Sequence, residues 1–99
     1  MMFTIIFPVL NERLRLESGV TRTVEYLRKI GFEDYEIIIV DNGSEDETPQ
    51  IAEMLCKKYD KVRYERIRIR GVGAAFRRGI ELSCGDVVGY MDIDLSTNI

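Results

Sequence analysis

The chain has 99 residues and a mass of 11.5 kDa, which is enough for one domain with a single core and too little for a second. Hydrophobic residues make up 45% of it and charged residues 31%, a balance that excludes disordered, collagen-like and disulfide-scaffold proteins. The formal net charge of −3 argues against general binding to nucleic acid or to anionic membranes. We therefore expect one soluble domain over residues 1–99.

Apolar patterning alternates between strand and helix periods along the chain. Short apolar runs predict four strands, at residues 3–9, 35–40, 62–69 and 87–93, with the first, second and fourth buried on both faces. Helical spacing predicts three helices between them. The first helix is marked by apolar Val20, Val24 and Leu27 and ends at Gly31. The second begins with Thr48 as N-cap and Pro49 as first helical residue. The third runs from about Val72 to Cys84, with Phe76 and Ile80 on one face, and stops at Gly85. This alternation predicts an α/β fold, a Rossmann-like open parallel sheet with helices on both faces.

The cysteine content and the amino-terminal segment bear on location. Cys56 and Cys84 lack metal-ligand spacing, and the chain has no histidine, so we expect reduced thiols and a cytoplasmic protein. The apolar residues 3–10 lack a basic leader and are far fewer than the roughly 20 that cross a bilayer. We interpret them as a strand.

Polar residues follow three of the predicted strands. Open parallel sheets bind ligands at the carboxyl ends of their strands, so these residues are predicted to converge on one site. They are Pro8, Asn11 and Glu12 after the first strand, Asp41, Asn42, Gly43 and Ser44 after the second, and Asp92 and Asp94 after the fourth.

Asp92 and Asp94 lie two residues apart in an extended run, so their carboxylates face the same way. Two like charges this close favour a bound cation, for which Mg²⁺ or Mn²⁺ is the usual choice beside phosphates. A solvated loop after the strand is the alternative.

Asp41 ends a strand that should be central in the sheet, and Gly43 permits a sharp turn with positive φ. We expect the Asp41 carboxylate to keep a free acceptor for a base or ribose. The alternative is an Asx or N-cap turn that leads into the second helix.

Two further patterns leave alternatives open. Gly71 and Gly73 resemble the start of a dinucleotide-binding fingerprint, but Phe76 replaces its third glycine. The pattern suits either an anion bound at a helix N-terminus or a tight turn from strand to helix. Arg66, Arg68 and Arg70 form one basic strand face, either a solvated edge strand or a contact to phosphates or lipid head groups. The same alternatives hold for Arg77 and Arg78.

Four ordered motifs together resemble the nucleotide-sugar-dependent glycosyltransferases of family 2, which have the GT-A fold. The motifs are Phe7–Glu12 (FPVLNE), Val40–Thr48 (VDNGSEDET), Gly71–Ile80 (GVGAAFRRGI) and Gly85–Leu95 (GDVVGYMDIDL), and they span essentially the whole chain. The last two look most like the polyprenyl-phosphate (dolichyl-phosphate) mannosyl- and glucosyltransferases.

The resemblance implies a role for each matching position. Pro8, Asn11, Glu12 and Gly43 would line the pocket of a UDP- or GDP-linked sugar, Asp41 would meet the base, Asp92 the ribose or diphosphate, and Asp94, with Asp92, the Mg²⁺ or Mn²⁺ ion. Two positions depart from the family pattern: Asn42 replaces a frequent aspartate, and Ser96 stands where mannosyltransferase-like members often carry glutamine.

The resemblance also implies an inverting reaction in which the metal stabilises the leaving diphosphate. A sugar acceptor would need a general base, which the family supplies from beyond residue 99, whereas a polyprenyl phosphate needs none because its oxygen is already anionic. Such an acceptor implies the cytoplasmic face of a membrane.

The chain stops at Ile99, where the family continues into its acceptor half. We expect either a fragment or a half that associates with itself or another chain through its last strand. Two other functions stay open: a non-catalytic scaffold of the same fold, and a dinucleotide-binding oxidoreductase. A nucleotidyltransferase, distinguished by pyrophosphate formation, is a near neighbour of the glycosyltransferase interpretation.

Overall fold

Strands and helices alternate along the chain from residue 3 to residue 90. The computed structural model describes residues 2–68 and 72–93. The elements are β1 (Phe3–Val9), α1 (Leu16–Lys29), β2 (Tyr35–Asp41), α2 (Thr48–Lys58), β3 (Val62–Arg66), α3 (Val72–Leu82) and β4 (Val87–Tyr90). All strand pairs are parallel, in the order β3-β2-β1-β4. The predicted fold class is confirmed.

The core has one layer on each face of the sheet, because successive side chains of a strand point to opposite faces. On one face, Phe7 and Ile39 pack with Leu16 of α1 and Leu55 of α2. On the other face, the buried strand residues pack against α3; the buried members of this second cluster are Ile6, Ile38, Val40 and Ala75. Helices therefore cover both faces, as predicted.

Helix α3 lies unusually close to the sheet. A Cβ atom added to Gly79 would lie 2.5 Å from Cδ1 of the fully buried Ile6. Ala75, four residues earlier, is also fully buried. The predicted pairing of Phe76 with Ile80 is wrong in part, because Phe76 packs on the second cluster while Ile80 is 44% exposed. Ala75 and Gly79 face the sheet because their small size lets α3 approach it more closely than Ile80 would.

Strand β3 ends at Arg66, earlier than the predicted residue 69, which lies outside the described residues. The amide of Ile67 still donates to the carbonyl oxygen of Asp41 at 2.9 Å, and Asp41 is the last residue of β2. The pairing stops there because β2 offers no further partner.

Strand β4 also ends earlier than predicted, at Tyr90 instead of residue 93. The Met91 amide donates to the Ile6 carbonyl at 3.0 Å. Because alternate β1 residues face β4, the next donor on that side would be Pro8, which has no N–H. Strand β4 is half-buried throughout, not buried on both faces as expected, because among the described residues it pairs with β1 alone.

Two helix ends test the capping predictions. Gly31 follows α1 with φ of +74°, which confirms it as a terminating glycine. Helix α2 begins one residue earlier than predicted, with Glu47 as its N-cap and Thr48 already helical. The Thr48 hydroxyl does not cap its own helix because it accepts a hydrogen bond from the Glu12 amide.

A buried carboxylate joins four elements at the amino end of the sheet. Glu36 accepts hydrogen bonds from the Thr4 hydroxyl at 2.7 Å, the Cys84 amide at 2.5 Å and the Arg63 guanidinium at 3.2 Å. Arg63 also donates to the Leu82 carbonyl at 2.9 Å. Burial alone would raise the pKa of Glu36, but these hydrogen bonds outweigh it and lower that pKa. We call these five residues the Glu36 cluster.

No helix within the described part of the chain is long and apolar enough to cross a membrane.

Candidate functional site

The strand order places a crevice at the carboxyl end of the sheet. From β1 the chain builds outward through β2 and β3, and β4 then returns to the opposite side of β1. This reversal separates the loops that follow β1 and β4, and such switch points are where open α/β sheets bind ligands. The loops after β1, β2 and β4 all reach this edge, so the sequence-predicted residues that precede or lie in them share one region.

Side-chain-to-backbone hydrogen bonds tie the loop after β1 to the loop after β2. The Ser44 hydroxyl accepts from the Asn11 amide at 2.8 Å. The Asn11 side-chain oxygen in turn accepts from the Glu45 amide at 2.8 Å. Asn11 holds the left-handed φ of +53°, a conformation that asparagine tolerates better than most residues. The loops therefore hold each other's backbone in place through these hydrogen bonds.

A second set of bonds extends this connection toward α2. The Thr48 hydroxyl accepts from the Glu12 amide at 2.9 Å. Asp46 accepts from the Thr48 amide at 2.9 Å and from the Arg13 amide at 3.3 Å. Desolvation would raise the pKa of Asp46, but its hydrogen bonds to Thr48 and Arg13 outweigh it and lower that pKa. We call the two sets together the loop network.

Asp41 is the buried hub behind this network. Its side chain is fully buried, and one carboxylate oxygen accepts from the amides of Gly43 at 3.0 Å and Ser44 at 2.7 Å. The other oxygen accepts from the Tyr64 hydroxyl at 2.7 Å and faces the Arg66 guanidinium at 3.6 Å. The expectation of a free acceptor on Asp41 is wrong, because both oxygens are engaged within the protein. The alternative, an Asx turn, is what the structure contains.

The contact with Asp41 affects the acidity of the Tyr64 hydroxyl. Burial and the hydrogen bond to the Asp41 carboxylate both raise the pKa of its hydroxyl, with burial the larger cause. Tyr64 and Arg66 both lie on β3, and sequence reasoning assigned neither a place beside Asp41. Their alternation with Glu65 puts them on one face of that strand, which was the available signal.

Asn42 was predicted from the sequence to lie at this edge and was also noted as a departure from the family pattern, but no role was assigned to it. It is 6% exposed, and its side-chain oxygen has no hydrogen-bond partner. Among residues 2–68 and 72–93, only Thr21 on α1 shares this property. The Asn42 amide donates to the Val9 carbonyl at 2.9 Å, which holds the residue against the end of β1. A buried, unpartnered acceptor costs about 1–3 kcal/mol, so Asn42 is the costliest polar group at this edge among the described residues.

Pro8 and Gly43 lie at the same edge. Pro8 is half-buried in β1, opposite Val40 of β2. Gly43 adopts φ of +101°, so the predicted positive-φ turn is confirmed, and a Cβ atom there would contact nothing. A side chain at Gly43 is excluded by backbone conformation and not by crowding.

Asp92 follows β4 directly and reaches the same edge from the other side of β1. It is half-buried, and the Tyr90 hydroxyl donates to it at 3.5 Å. The next residue, Ile93, is buried against Gly19 of α1, where an added Cβ would lie 2.5 Å from the Ile93 carbonyl oxygen. This packing fixes the exit of β4 beside α1. Burial, and then the Asp92 charge, raise the pKa of Tyr90.

The predicted metal pair is only half within the described residues. Asp94 and Ser96 lie outside them, as do Gly71 and Arg70. Over residues 2–68 and 72–93, no three metal-ligating side chains form a cluster. Asp92 offers the carboxylate oxygen that Mg²⁺ and Mn²⁺ prefer, so the donor type fits such an ion.

Comparison with solved structures identifies the fold class. A mannosyltransferase from Pyrobaculum calidifontis, solved with GDP-Man and Mn²⁺, superposes with a TM-score of 0.80 at 24% identity, over 93% of this chain and 27% of that one. Glucosyl-3-phosphoglycerate synthase from Mycobacterium tuberculosis, solved with Mn²⁺, UDP and glucosyl-3-phosphoglycerate, gives 0.70 at 27% identity, over 92% and 33%. The fold is that of the GT-A glycosyltransferases.

A family model described as glycosyl transferase family 2 matches residues 4–98, and the chain belongs to this family. Glycosyltransferase AglD of Haloferax volcanii is 35% identical over 97% of this chain and 16% of its own length. The dolichyl-phosphate β-glucosyltransferase of Mus musculus is 39% identical over 95% of this chain and 31% of its own. The chain thus spans less than a third of these two relatives. The resemblance expected from the motifs is confirmed, and it is to hexosyltransferases.

Proposed function

We propose that this chain is the donor-binding part of a metal-dependent, inverting glycosyltransferase that uses a UDP- or GDP-linked hexose. The observation that carries the proposal is the buried, unpartnered side-chain oxygen of Asn42 at the switch-point edge of a family 2 chain. An acceptor oxygen without a donor fits a ligand that brings an N–H group, and uracil and guanine both offer one. The M. tuberculosis relative, solved with UDP, supports a nucleotide in this region.

The residues around Asn42 would have different roles in binding the nucleotide. Asp41 holds the turn from behind through the Gly43 and Ser44 amides and does not itself face the ligand. The bare backbone at Gly43 allows a base to approach closely. Pro8, Asn11 and Glu12 form the β1 side of the pocket. In this assignment Asn42 takes the base-recognition role that the family resemblance implied for Asp41.

Asp92, with Asp94, would hold the divalent ion. A bound Mg²⁺ or Mn²⁺ would stabilise the negative charge that develops on the departing diphosphate. The Mn²⁺ in the M. tuberculosis complex supports this choice. Tyr90 would orient the Asp92 carboxylate through its hydroxyl.

The acceptor we propose is a polyprenyl phosphate, reached at the cytoplasmic face of a membrane. The name of the mouse relative supports this acceptor class. Its phosphate oxygen is already anionic, so in-line attack on the anomeric carbon needs no general base from the chain. That chemistry is compatible with a site in which Asp41 is engaged within the protein and Asp92 and Asp94 would hold the metal.

Isothermal titration calorimetry with UDP and GDP, with and without Mn²⁺, tests the donor site. We expect Mn²⁺-dependent binding that weakens by about tenfold or more in Asp92→Asn, because one charged metal ligand is lost. Asn42→Ala should weaken binding about 3- to 10-fold, the value of one hydrogen bond.

The matched control is Asp60→Asn, an exposed carboxylate in the turn between α2 and β3 at the opposite end of the sheet. It should bind like the unsubstituted chain. If a chain that is folded by circular dichroism binds neither nucleotide with Mn²⁺, or if Asp92→Asn binds as tightly as Asp60→Asn, the proposal is wrong.

A further inference from the structure

A basic groove lies between the end of β3 and α3, at the sheet edge farthest from β4. Its volume is about 410 Å³. Its walls carry four arginines and two glutamates, which are Arg66, Arg68, Arg77, Arg78, Glu65 and Glu81. We call this the arginine groove. It gathers a net positive charge in a chain whose overall charge is −3.

Two of the four arginines are neutralised inside the protein. Arg78 pairs with Glu81 at 3.0 Å and with Glu65 at 3.3 Å, and these hydrogen bonds, Glu81 first, raise its pKa. Arg66 faces the buried Asp41 carboxylate at 3.6 Å. Both glutamates of the groove therefore pair with Arg78, and within the described residues neither has a second guanidinium partner.

The other two arginines have no such compensation from the part of the chain that the structure describes. Arg68 and Arg77 are exposed, and within residues 2–68 and 72–93 neither makes an ion pair or a side-chain hydrogen bond. They come from different elements, the segment after β3 and helix α3, yet line one concave surface. Two like charges that share a groove repel each other, and a bound anion relieves that repulsion.

The geometry points to a phosphate group as the ligand of the arginine groove, held by Arg68 and Arg77. Guanidinium groups present paired N–H donors that match phosphate oxygens, and they keep their charge at any physiological pH. The phosphate can belong to a free anion or to a lipid head group, since both present the same oxygens. This site is separate from the proposed donor site, because neither arginine belongs to the loop network or to the metal pair.

The test measures phosphate binding directly. The arginine Nε–H resonances are followed by NMR while inorganic phosphate is added to the intact chain and to Arg68→Gln/Arg77→Gln. A matched control, Arg22→Gln/Arg28→Gln, removes the same charge from exposed positions on α1, which covers the other face of the sheet. A parallel assay measures sedimentation with phosphatidylcholine vesicles, with and without phosphatidic acid.

We expect the groove variant to lose about tenfold or more in affinity for phosphate, for phosphatidic acid vesicles, or for both, while the control keeps its affinity. Binding to free phosphate identifies a soluble anion as sufficient, and binding to vesicles alone identifies the lipid head group. If neither probe binds, or if both variants weaken equally, the groove is not a phosphate site. Nucleotide binding should be unchanged in the groove variant, so failure of this inference is distinct from failure of the donor site.

Discussion

At the scale of single residues, Asp41 and Asn42 differ in how their buried side-chain oxygens are partnered. Asp41 is fully buried, with four partners on its two carboxylate oxygens. Its neighbour Asn42 is nearly as buried but keeps an unpartnered oxygen. Asp41 is thus engaged within the protein, and Asn42 is the residue for which we propose contact with a ligand.

The Tyr64–Asp41 contact predicts a stability effect. Tyr64→Phe removes the hydroxyl that donates to Asp41 at 2.7 Å and leaves part of a buried carboxylate unpartnered. We expect a loss of about 1–3 kcal/mol in the free energy of unfolding, measured by urea denaturation. Tyr26→Phe is the control, because Tyr26 is 63% exposed, and it should change stability by less than about 0.5 kcal/mol. Equal stability of the two variants would show that the contact contributes nothing.

Sequence reasoning could identify the polar strand ends but not which residue stays available for a ligand. The partners of Asp41 on β3 lie 23 residues or more along the chain, and only the sheet order brings them beside it. Because these partners on β3 engage Asp41 and not Asn42, the local sequence does not tell which of the two carries an unpartnered oxygen. The turn at Gly43 was predictable because its cause, a positive φ, is local.

At the scale of elements, the position of α3 depends on a glycine. Gly79→Ala would place a methyl group 2.5 to 2.9 Å from three side-chain atoms of Ile6, a fully buried and β-branched residue that cannot easily move. We expect a loss of about 1–3 kcal/mol in unfolding free energy, even though alanine is the better helix former.

Gly73→Ala in the same helix is the matched control, because nothing lies within 4 Å of the added methyl group. It should leave stability unchanged or raise it by up to about 1 kcal/mol. Chemical denaturation of both variants gives the comparison, and a Gly79→Ala chain as stable as Gly73→Ala would refute the close packing.

Sequence periodicity predicted all seven elements, and the differences lie at their ends. Strands β3 and β4 are shorter than their apolar runs because pairing needs a partner: β2 ends at Asp41, and Pro8 has no N–H for β4. The exposure of Ile80 likewise depends on a neighbouring element, in this case the close packing of α3 on the sheet. Hydrophobic residues were expected on the buried stripe of α3, but close packing selected the smaller Ala75 and Gly79.

At the scale of the whole molecule, the Glu36 cluster makes stability depend on pH. Its hydrogen bonds lower the pKa of Glu36 from an ordinary value of 4.5. A lowered folded-state pKa means that this contribution is fully present above pH 4.5 and is lost as pH falls through the folded pKa. We expect the unfolding free energy of the chain to fall more steeply below that pH than that of Glu36→Gln.

Urea denaturation at a series of pH values measures this difference. Glu53→Gln, an exposed position on α2, is the control and should keep the steep acid dependence. Parallel curves for the chain and Glu36→Gln would contradict the assignment. The expected association through the β4 edge stays a prediction, which light scattering of the purified chain can check.

The Glu36 cluster has a mechanical consequence. It joins β1, β2, β3 and the end of α3 at the amino end of the sheet. At the carboxyl end, the loop network joins the loops after β1 and β2 to α2, and among the described residues none of its bonds reaches β4. Backbone pairing between β1 and β4 also ends at Met91. The amino end of β4 is therefore held by side-chain hydrogen bonds, whereas beyond Met91 the strand is held by the packing of Ile93 against Gly19 of α1. Hydrogen exchange should accordingly be slow at the Cys84 amide, which is held by Glu36, and faster at the Met91 amide, where the backbone pairing of β4 with β1 ends.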